Sequence, residues 1–352
     1  MRMVRCGADM TSPHDTLAAY DYHFPEALIA QSPARPRDSA RLMVHDRKTG
    51  ETILDTFAHI DEHLPERCVL VFNETKVIPA RMELDLAGKK IDVLCLGVDG
   101  EHLRAMAPRA VQPGTVATWA GFMLECVGRD GKEAIMKPSF PVAETEALLE
   151  KFGKTPLPPY IEAAGMSEDE RRSEYQTVFA KSNGSVAAPT AGLHFTPELI
   201  ERIRASGRDV RYVTLHVGLG TFAPLTDEQI ETRTLHEEAF FIDEETAHFL
   251  NAAKKAKRPI VAVGTTTVRT LESSSEDGVT ITNNYGKTTL FLSPENPPRF
   301  VDALVTNFHV PKSSLLMLVA GFVGRNQLMK LYQTAIAEKF RLFSFGDGML
   351  IV

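Results

Sequence analysis

Residues 186–224 have the sequence VAAPTAGLHFTPELIERIRASGRDVRYVTLHVGLGTFAP, which places a polar turn, a helix, a strand and a second polar turn in succession. The Thr-Pro-Glu sequence at 196–198 predicts the helix start, because threonine caps a first turn, proline suits the first helical position and glutamate favours the positive end of the helix dipole. Gly207 predicts the helix end, and the β-branched residues of 210–217 predict a strand. Polar turns at strand ends are where α/β proteins place their chemistry, so this stretch indicates an α/β fold with a site at these turns.

The alternation of strand and helix continues to the end of the chain. Residues 259–264 and 301–305 are apolar and are predicted strands, and each is followed by a polar loop. Helices are predicted from Val268 and over 315–323 and 327–339. Alternation of this kind from residue 185 onward predicts a layered α/β sheet with helices.

Residues 66–140 follow a different pattern. Short apolar runs alternate with glycine-containing turns at roughly even spacing, and no helical period fits them. This pattern is typical of a small antiparallel β-barrel. We therefore predict a barrel domain at 66–140 and an α/β domain formed by 1–65 and 141–352, in which residues 1–16 are a loose tail.

The composition is that of an ordinary globular protein, with 43% apolar and 24% charged residues in a chain of 352. The net charge of −7 argues against a basic surface over the whole molecule, although a local basic patch can still bind RNA. The four cysteines are far apart and form no CxxC pair, which favours a reduced cytosolic protein over a disulfide framework. No apolar run approaches the ~20 residues that span a bilayer, and residues 1–16 lack the apolar core of a secretory signal.

Two polar loops in the second half of the chain indicate binding sites. Backbone N–H groups and threonine hydroxyls in the loop at 264–267, Gly-Thr-Thr-Thr, suit a phosphate or carboxylate, and a threonine helix cap without a ligand is the alternative. Arg269 and Glu272 share a helix face, either as a surface pair or to hold an amino-acid moiety. His309 and Lys312 lie in a loop ahead of a helix start, which predicts a positively biased pocket, with surface solvation as the alternative.

A basic segment lies near the amino terminus. Residues 35–48 contain five Arg and Lys residues against two Asp residues, which gives a net charge of +3. The segment is either a solvated turn before the strand at 42–45 or a contact for RNA phosphates, which guanidinium groups bind in a bidentate manner.

The sequence lacks the motifs of three other kinds of site, namely a metal site, a dinucleotide-binding loop and a hydrolase nucleophile. The His-Glu-Glu sequence at 236–238 is not an HExxH motif and no Cys or His pair has ligand spacing, so we expect no metal. Gly218 and Gly220 lack the third glycine of a dinucleotide-binding loop, because position 223 is alanine. A GxSxG nucleophile motif is absent, which argues against an α/β-hydrolase.

Blocks of sequence between about Tyr20 and Val352 also carry a family resemblance. They are VFNETKVIPAR at 71–81, PLPPYI at 156–161, YQTV at 175–178, APTAGLHFT at 188–196, VTLHVGLGTF at 213–222, AVGTT at 262–266, RTLE at 269–272, TNFHVPKS at 306–313 and FSFGD at 343–347. In order and at compatible spacing, these blocks resemble the S-adenosylmethionine:tRNA ribosyltransferase-isomerases, the enzymes that make epoxyqueuosine in tRNA.

The resemblance implies a β-barrel inserted into an α/β catalytic domain, and it implies a reaction. Enzymes of this family join the ribosyl part of S-adenosylmethionine (AdoMet) to the aminomethyl group of a 7-deazaguanine base in tRNA, isomerise the ribose to an epoxycyclopentanediol, and release adenine and methionine. AdoMet is therefore the expected cosubstrate and tRNA the expected partner. We expect a monomeric, cytoplasmic enzyme that requires no metal and does not bind a membrane.

The chemistry of AdoMet defines which residues such a site needs. Its sulfonium acidifies the C5′ protons, so the reaction requires a base near that carbon and an acid for the departing adenine. The predicted acid–base groups are His194, His216, Glu238 and Asp347. Substrate contacts are predicted for Thr190, Thr221, Thr265, Thr266, Arg269, Glu272, Asn307, His309 and Lys312. Contacts to tRNA phosphates are predicted for Arg35, Arg37 and Arg41.

The sequence departs from the family pattern at several positions outside these loops, namely Glu174, Arg233, Leu235, 295–299 and Gly348, and the barrel is its least similar part. Two alternatives therefore stay open. One is a related AdoMet-cleaving enzyme with another amine acceptor, and the other is a non-catalytic RNA-binding module. Assays of AdoMet cleavage with and without the precursor tRNA distinguish all three.

Overall fold

The computed structural model describes residues 17–162, 165–218 and 225–352. The strands in these ranges are β1 (Arg41–His45), β2 (Thr52–Thr56), β3 (Val69–Asn73), β4 (Thr75–Val77), β5 (Arg81–Leu86), β6 (Lys89–Asp99), β7 (His102–Met106), β8 (Val116–Trp119), β9 (Phe122–Asp130), β10 (Glu133–Pro138), β11 (Ser182–Ser185), β12 (Asp209–Leu215), β13 (Thr234–Phe241), β14 (Ile260–Val263), β15 (Tyr285–Leu290), β16 (Ala303–Asn307) and β17 (Gly348–Ile351).

The helices in the same ranges are α1 (Ile60–His63), α2 (Thr145–Phe152), α3 (Glu168–Glu174), α4 (Pro197–Ala205), α5 (Asp227–Thr232), α6 (Glu244–Lys255), α7 (Thr265–Ser274), α8 (Ser314–Val323) and α9 (Arg325–Ala337). A 3₁₀ turn at Thr190–His194 precedes α4. No helix of the described chain is long and apolar enough to cross a membrane.

A large mixed sheet organises the molecule. Its nine strands have the order β15-β13-β12-β3-β14-β16-β17-β1-β2, and within it β12, β3, β14 and β16 are parallel to one another. Alternate residues of the central strands face opposite layers, so that Val71 and Ala262 pack against α6 to α9 while Leu70 and Val261 pack against α1 and α4. The predicted layered α/β sheet is confirmed.

The predicted antiparallel barrel is also confirmed. Strands β5 to β10 close in the order β10-β7-β6-β5-β8-β9, and each pair is antiparallel. Their side chains alternate between a buried interior and an exposed exterior, as β6 shows over most of its length. The barrel lies between α/β segments of the chain, and its strands run from Arg81 to Pro138.

The predicted start of the barrel at residue 66 is too early. Strand β3, which lies within 66–140, pairs with β12 and β14 at the centre of the large sheet. All five residues of β3 are buried, as expected for a parallel strand that is covered on both faces, whereas barrel strands are buried on one face only. The β4 strand also pairs outside the barrel, with β11.

Helix α4 begins and ends where the sequence predicts. The Thr196 side chain accepts a hydrogen bond from the Leu199 N–H (3.2 Å), and Pro197 occupies the first turn. Gly207, just beyond the helix, has a φ of +82°, a conformation that favours glycine. The strand predicted at 210–217 is observed as β12, and it leads from this helix to the edge of the sheet where the polar loops lie.

Candidate functional site

A cavity of about 410 Å³ lies at the carboxyl edge of the parallel strands. Gly264, which follows β14, and Asn307, which ends β16, both line it, as does Val217 just beyond β12. Parallel sheets bind their ligands at this edge, where loops and helix N-termini meet. The volume is within the range of small-molecule sites.

The cavity brings together residues predicted from separate parts of the chain. Those that line it are Thr190, Glu238, Thr265, Thr266, Arg269, Asn307, His309 and Lys312. Thr221, which was predicted with them, lies outside the described residues. The polar loops at 190, 264–269 and 306–313 thus meet at one cavity.

A buried ion pair forms one part of the cavity wall. The Arg269 guanidinium contacts the Glu238 carboxylate, and both residues are almost fully buried. The other oxygen of that carboxylate accepts a hydrogen bond from the Gly218 N–H (3.2 Å). Two opposite charges are thus held side by side in the cavity wall.

The loop before α7 leaves its amide groups without a side-chain cap. The residue that caps this helix is Gly264, with a φ of +91°, and no side chain accepts from the first-turn amides. The alternative of a threonine cap is therefore not observed. Thr266 instead accepts a hydrogen bond through its hydroxyl from the Asn73 side chain (3.1 Å), which ties this loop to the end of β3.

The loop after β16 supplies an imidazole and an ammonium group. The His309 Nε2 lies 2.8 Å from the Thr306 hydroxyl, and the His309 amide donates to the Tyr332 hydroxyl (2.7 Å). Burial lowers the pKa of His309 to about 4, so that its ring is neutral near pH 7. Lys312 forms an ion pair with Asp21 (2.8 Å), which partly neutralises its charge.

Two predicted acid–base histidines do not line the cavity. The ring of His194 stacks on Phe57, with 4.5 Å between centroids, and burial lowers the pKa of His194 to about 3. The His216 ring is half-buried, and its Nδ1 lies 2.8 Å from the Thr75 hydroxyl. The structure therefore engages both side chains away from the cavity, His194 by stacking on Phe57 and His216 by its contact with Thr75.

Two predicted carboxylates are also engaged elsewhere. Asp347 is buried and accepts from the Arg341 amide (2.7 Å), the Arg41 amide (3.1 Å) and the Arg341 guanidinium (3.1 Å). Glu272 accepts from the three successive amides of residues 299–301, each at 2.9 Å. Neither carboxylate lines the cavity, because each one fixes a loop of the fold.

The three predicted phosphate-binding arginines are bound within the protein to different degrees. Arg37 donates to the backbone carbonyls of Gln176 (2.6 Å) and Ser173 (2.7 Å). Arg41 donates to the Glu338 carbonyl and lies over the Phe340 ring. Arg35 pairs with Glu174 at 2.9 Å, but its side chain is 66% exposed. Of these three arginines, Arg35 is therefore the most accessible to a nucleic acid.

Several residues that sequence reasoning missed also line the cavity, among them Tyr160, Tyr175, His236 and Ser344. The Tyr160 hydroxyl lies 2.7 Å from the Ser344 hydroxyl, which joins two distant segments. Both residues belong to blocks that carry the family resemblance, PLPPYI and FSFGD, and this was a usable signal. The spacing of His236 in the His-Glu-Glu sequence argues against a metal motif and carries no signal for a place in the cavity.

The fold and the site define an α/β protein with a small-molecule cavity at the carboxyl edge of its sheet. Comparison with known proteins makes this specific. A family model described as queuosine biosynthesis protein matches residues 17–351, and the chain belongs to this family.

Similar proteins carry consistent names. A protein of Sulfurihydrogenibium sp. is 43% identical over 346 residues, with 96% of this chain and 99% of the relative covered, and one of Geobacter metallireducens is 41% identical, with 94% and 98% covered. Both are named S-adenosylmethionine:tRNA ribosyltransferase-isomerase. The crystal structure of an S-adenosylmethionine tRNA ribosyltransferase from Thermotoga maritima is 34% identical, with a TM-score of 0.55 and coverage of 95% of this chain and 100% of that one.

Proposed function

We propose that the chain is an S-adenosylmethionine:tRNA ribosyltransferase-isomerase and that AdoMet binds in the cavity described above. The reaction transfers the ribosyl moiety of AdoMet to 7-aminomethyl-7-deazaguanine in tRNA and isomerises it, giving epoxyqueuosine with release of adenine and methionine. Membership of the queuosine biosynthesis family and the names of relatives that match nearly the whole chain support this assignment.

The observation that carries the proposal is the ion pair of Arg269 and Glu238 at the cavity wall. The methionine part of AdoMet bears one carboxylate and one ammonium group. A guanidinium binds a carboxylate in a bidentate manner, and a carboxylate accepts from an ammonium, so the pair is complementary to both ends of the zwitterion. We therefore assign Glu238 to substrate binding rather than to proton transfer.

We assign the proton transfers to the imidazoles of the cavity. His309 is neutral near pH 7 and can accept a proton, although its lowered pKa makes it a weak base. His236 is exposed on the open side of the cavity. The amides at the start of α7 and the hydroxyls of Thr265 and Thr266 complete the polar wall that would orient the substrate.

We propose that tRNA approaches the face that carries Arg35. We also propose that the barrel at 81–138 and the α/β part are separate domains. The proposed enzyme is a monomer that acts in the cytoplasm without a metal. The exposure of Arg35 supports the first of these proposals, and the closed hydrogen bonding of the barrel supports the second.

The test uses AdoMet labelled in both its adenine and its methionine parts. With tRNA that carries the precursor base, adenine and methionine should be released in equal amounts as epoxyqueuosine forms. With tRNA that carries guanine at that position, neither should be released. Accumulation of S-adenosylhomocysteine would show methyl transfer and would contradict the proposal, and release with a different amine acceptor would favour the related-enzyme alternative.

The assignment of His309 is tested by substitution. His309→Ala should lower kcat by about 10²–10⁴-fold, as expected when a general acid or base is lost. His248→Ala removes an imidazole from an exposed position on α6 and serves as the matched control. If both variants keep the wild-type kcat, His309 has no part in proton transfer.

A further inference from the structure

We propose that the Oδ1 atom of Asn307 selects the nucleobase of the donor by accepting a hydrogen bond from the exocyclic amine of adenine. The inference rests on the proposed function, because it assigns a contact within the AdoMet cavity. It goes further by giving one residue a specificity role and by naming the ligand atom that this residue recognises.

The orientation of the Asn307 amide is fixed by its neighbours. Asn307 ends β16 and is 2% exposed. Its Nδ2 donates to the backbone carbonyls of Phe343 (3.1 Å) and Ser344 (3.5 Å). A reversed amide would direct Oδ1 at two carbonyl oxygens and would lose both hydrogen bonds. The oxygen is therefore held as an acceptor.

That oxygen has no hydrogen-bond partner in the described structure. Oδ1 is buried and unpaired, and the residue lines the cavity. Buried acceptors in folded proteins are almost always satisfied, because an unmet one carries the full cost of its desolvation. An acceptor held in this way beside a cavity is satisfied when a bound ligand presents a donor to it.

The charges around the cavity indicate which donor this is. Among the described residues that line it, Glu238 is the carboxylate, and it is paired with Arg269. The methionine ammonium is therefore expected at Glu238, where it meets a negative charge. Asn307 offers a neutral acceptor, which suits an uncharged amine.

The surroundings of Asn307 also suit a purine. The carbonyls that bind its Nδ2 belong to Phe343 and Ser344, and the Tyr160 ring lies 5.0 Å from the Phe343 ring. Tyr160, Phe343 and Ser344 all line the cavity. Aromatic side chains beside polar groups match a base that has an apolar face and a polar edge.

Asn73 provides a matched control. It is as deeply buried as Asn307 and also lies at the end of a central strand. Its Nδ2 donates to the Leu215 carbonyl and to Thr266, and its Oδ1 accepts from the amides of Thr75 and Leu215. Both ends of the Asn73 amide are thus satisfied within the protein, so Asn73 has no acceptor left for a ligand.

The experiment compares AdoMet with an analogue whose purine lacks the 6-amino group. For each donor, kcat/KM is measured by methionine release at saturating precursor tRNA, in wild type, Asn307→Ala and Asn73→Ala. The preference of each protein is the ratio of the two kcat/KM values. Differences in the intrinsic reactivity of the donors cancel when the preferences of two proteins are compared.

Wild type should prefer AdoMet, and Asn307→Ala should lose about tenfold to a hundredfold of that preference because the amine then has no acceptor. Asn73→Ala should keep the wild-type preference even if its activity falls. An Asn307→Ala variant that loses activity equally for both donors would overturn the proposal, since it would give Asn307 a structural role or a contact to another part of the substrate.

Two further outcomes are also decisive. If Asn307→Ala does not fold, Asn307→Leu keeps nearly the same side-chain volume and offers no acceptor, and the same loss of preference is expected of it. If wild type releases no methionine from AdoMet with precursor tRNA, the proposed function itself fails and this inference fails with it. Turnover of AdoMet with no preference over the analogue overturns only the inference.

Discussion

At the scale of single residues, the direction of its side chain decides whether a loop histidine lines the cavity. His194 and His309 both lie in polar loops beside the same sheet, yet His194 stacks on Phe57 while His309 lines the cavity. The Nε2 of His194 is buried and has no hydrogen-bond partner among the described residues. The charges of Arg341 and Arg37 add to the effect of burial in lowering its pKa. His194 is therefore kept neutral by the fold.

This burial predicts a pH dependence of stability. The pKa of His194 is about 3 in the folded protein and 6.5 for a free histidine, so the unfolded chain binds a proton between these values that the folded protein does not bind. The contribution of this group therefore lowers stability as pH falls below about 6.5, and has no effect above it. The slope from one such proton is about 1.4 kcal/mol per pH unit.

The variant His194→Leu removes the titrating group and keeps an apolar side chain against Phe57. Urea unfolding between pH 4 and pH 7 should show a shallower loss of stability on acidification for the variant, and turnover per folded molecule at pH 7 should stay near the wild-type value. A large loss of turnover with an unchanged pH dependence would instead support the acid–base role predicted from the sequence.

At the scale of elements, the chemistry of helix ends makes α4 predictable. Thr196 caps it through a hydrogen bond to the Leu199 N–H, as the Thr-Pro-Glu sequence indicates. Thr196→Ala should lower the free energy of unfolding by about 1 kcal/mol, because the first-turn amide loses its acceptor. Thr196→Ser keeps the hydroxyl and is the control. Chemical denaturation measures both, and equal stability of the two variants would show that the cap does not contribute.

One central strand was assigned to the wrong domain and one short strand was missed, each for a physical reason. The continuous apolar run of β3 was assigned to the barrel, although barrel strands such as β6 alternate while β3 is buried on both faces. That difference in period was available in the sequence. Strand β17 was missed because four residues after a turn carry too little pattern, and its place between β16 and β1 depends on pairing with distant segments.

The difference between local patterns and contacts of distant segments also decides which site residues the sequence predicts. The loops at 264–269 and 306–313 were predicted because strand, polar loop and helix start are local patterns. The engagement of Glu272 by the amides of residues 299–301, and of Asp347 by Arg341, depends on contacts between segments that no local pattern reveals. A polar residue at the carboxyl end of a strand is therefore a candidate site residue. Only the fold shows whether its side chain is already bound to another part of the chain.

At the scale of the whole molecule, the segment that enters the barrel at Arg81 meets the segment that follows α2 at one junction. The amides and carbonyls of Arg81 and Lys154 exchange hydrogen bonds there (3.0 and 2.8 Å). A Cβ atom added to Gly153 would overlap the carbonyl oxygens of Pro79 and Leu149. The junction thus depends on glycine at 153 for close backbone approach rather than for an unusual φ.

Gly153→Ala should accordingly lower the free energy of unfolding by about 1–3 kcal/mol, since backbone atoms at the junction must move to admit the methyl group. Gly128→Ala, in the barrel wall, places its Cβ in ordinary contact with Ile135 and is the matched control. Calorimetry should show a lower melting temperature for the first variant than for the second. Equal melting temperatures would mean that the junction can widen without cost.

The docking of tRNA requires a local basic contact, because the chain as a whole carries a net charge of −7. Of the three candidate arginines, Arg37 is bound to two backbone carbonyls, whereas Arg35 is held by one partly exposed ion pair with Glu174 that a phosphate can replace. Arg35→Gln should therefore weaken tRNA binding and reduce the slope of log K against log salt by about one contact. Arg37→Gln should mainly lower the melting temperature. Binding titrations at several salt concentrations measure the slope, and an unchanged slope for Arg35→Gln would make the segment a solvated turn.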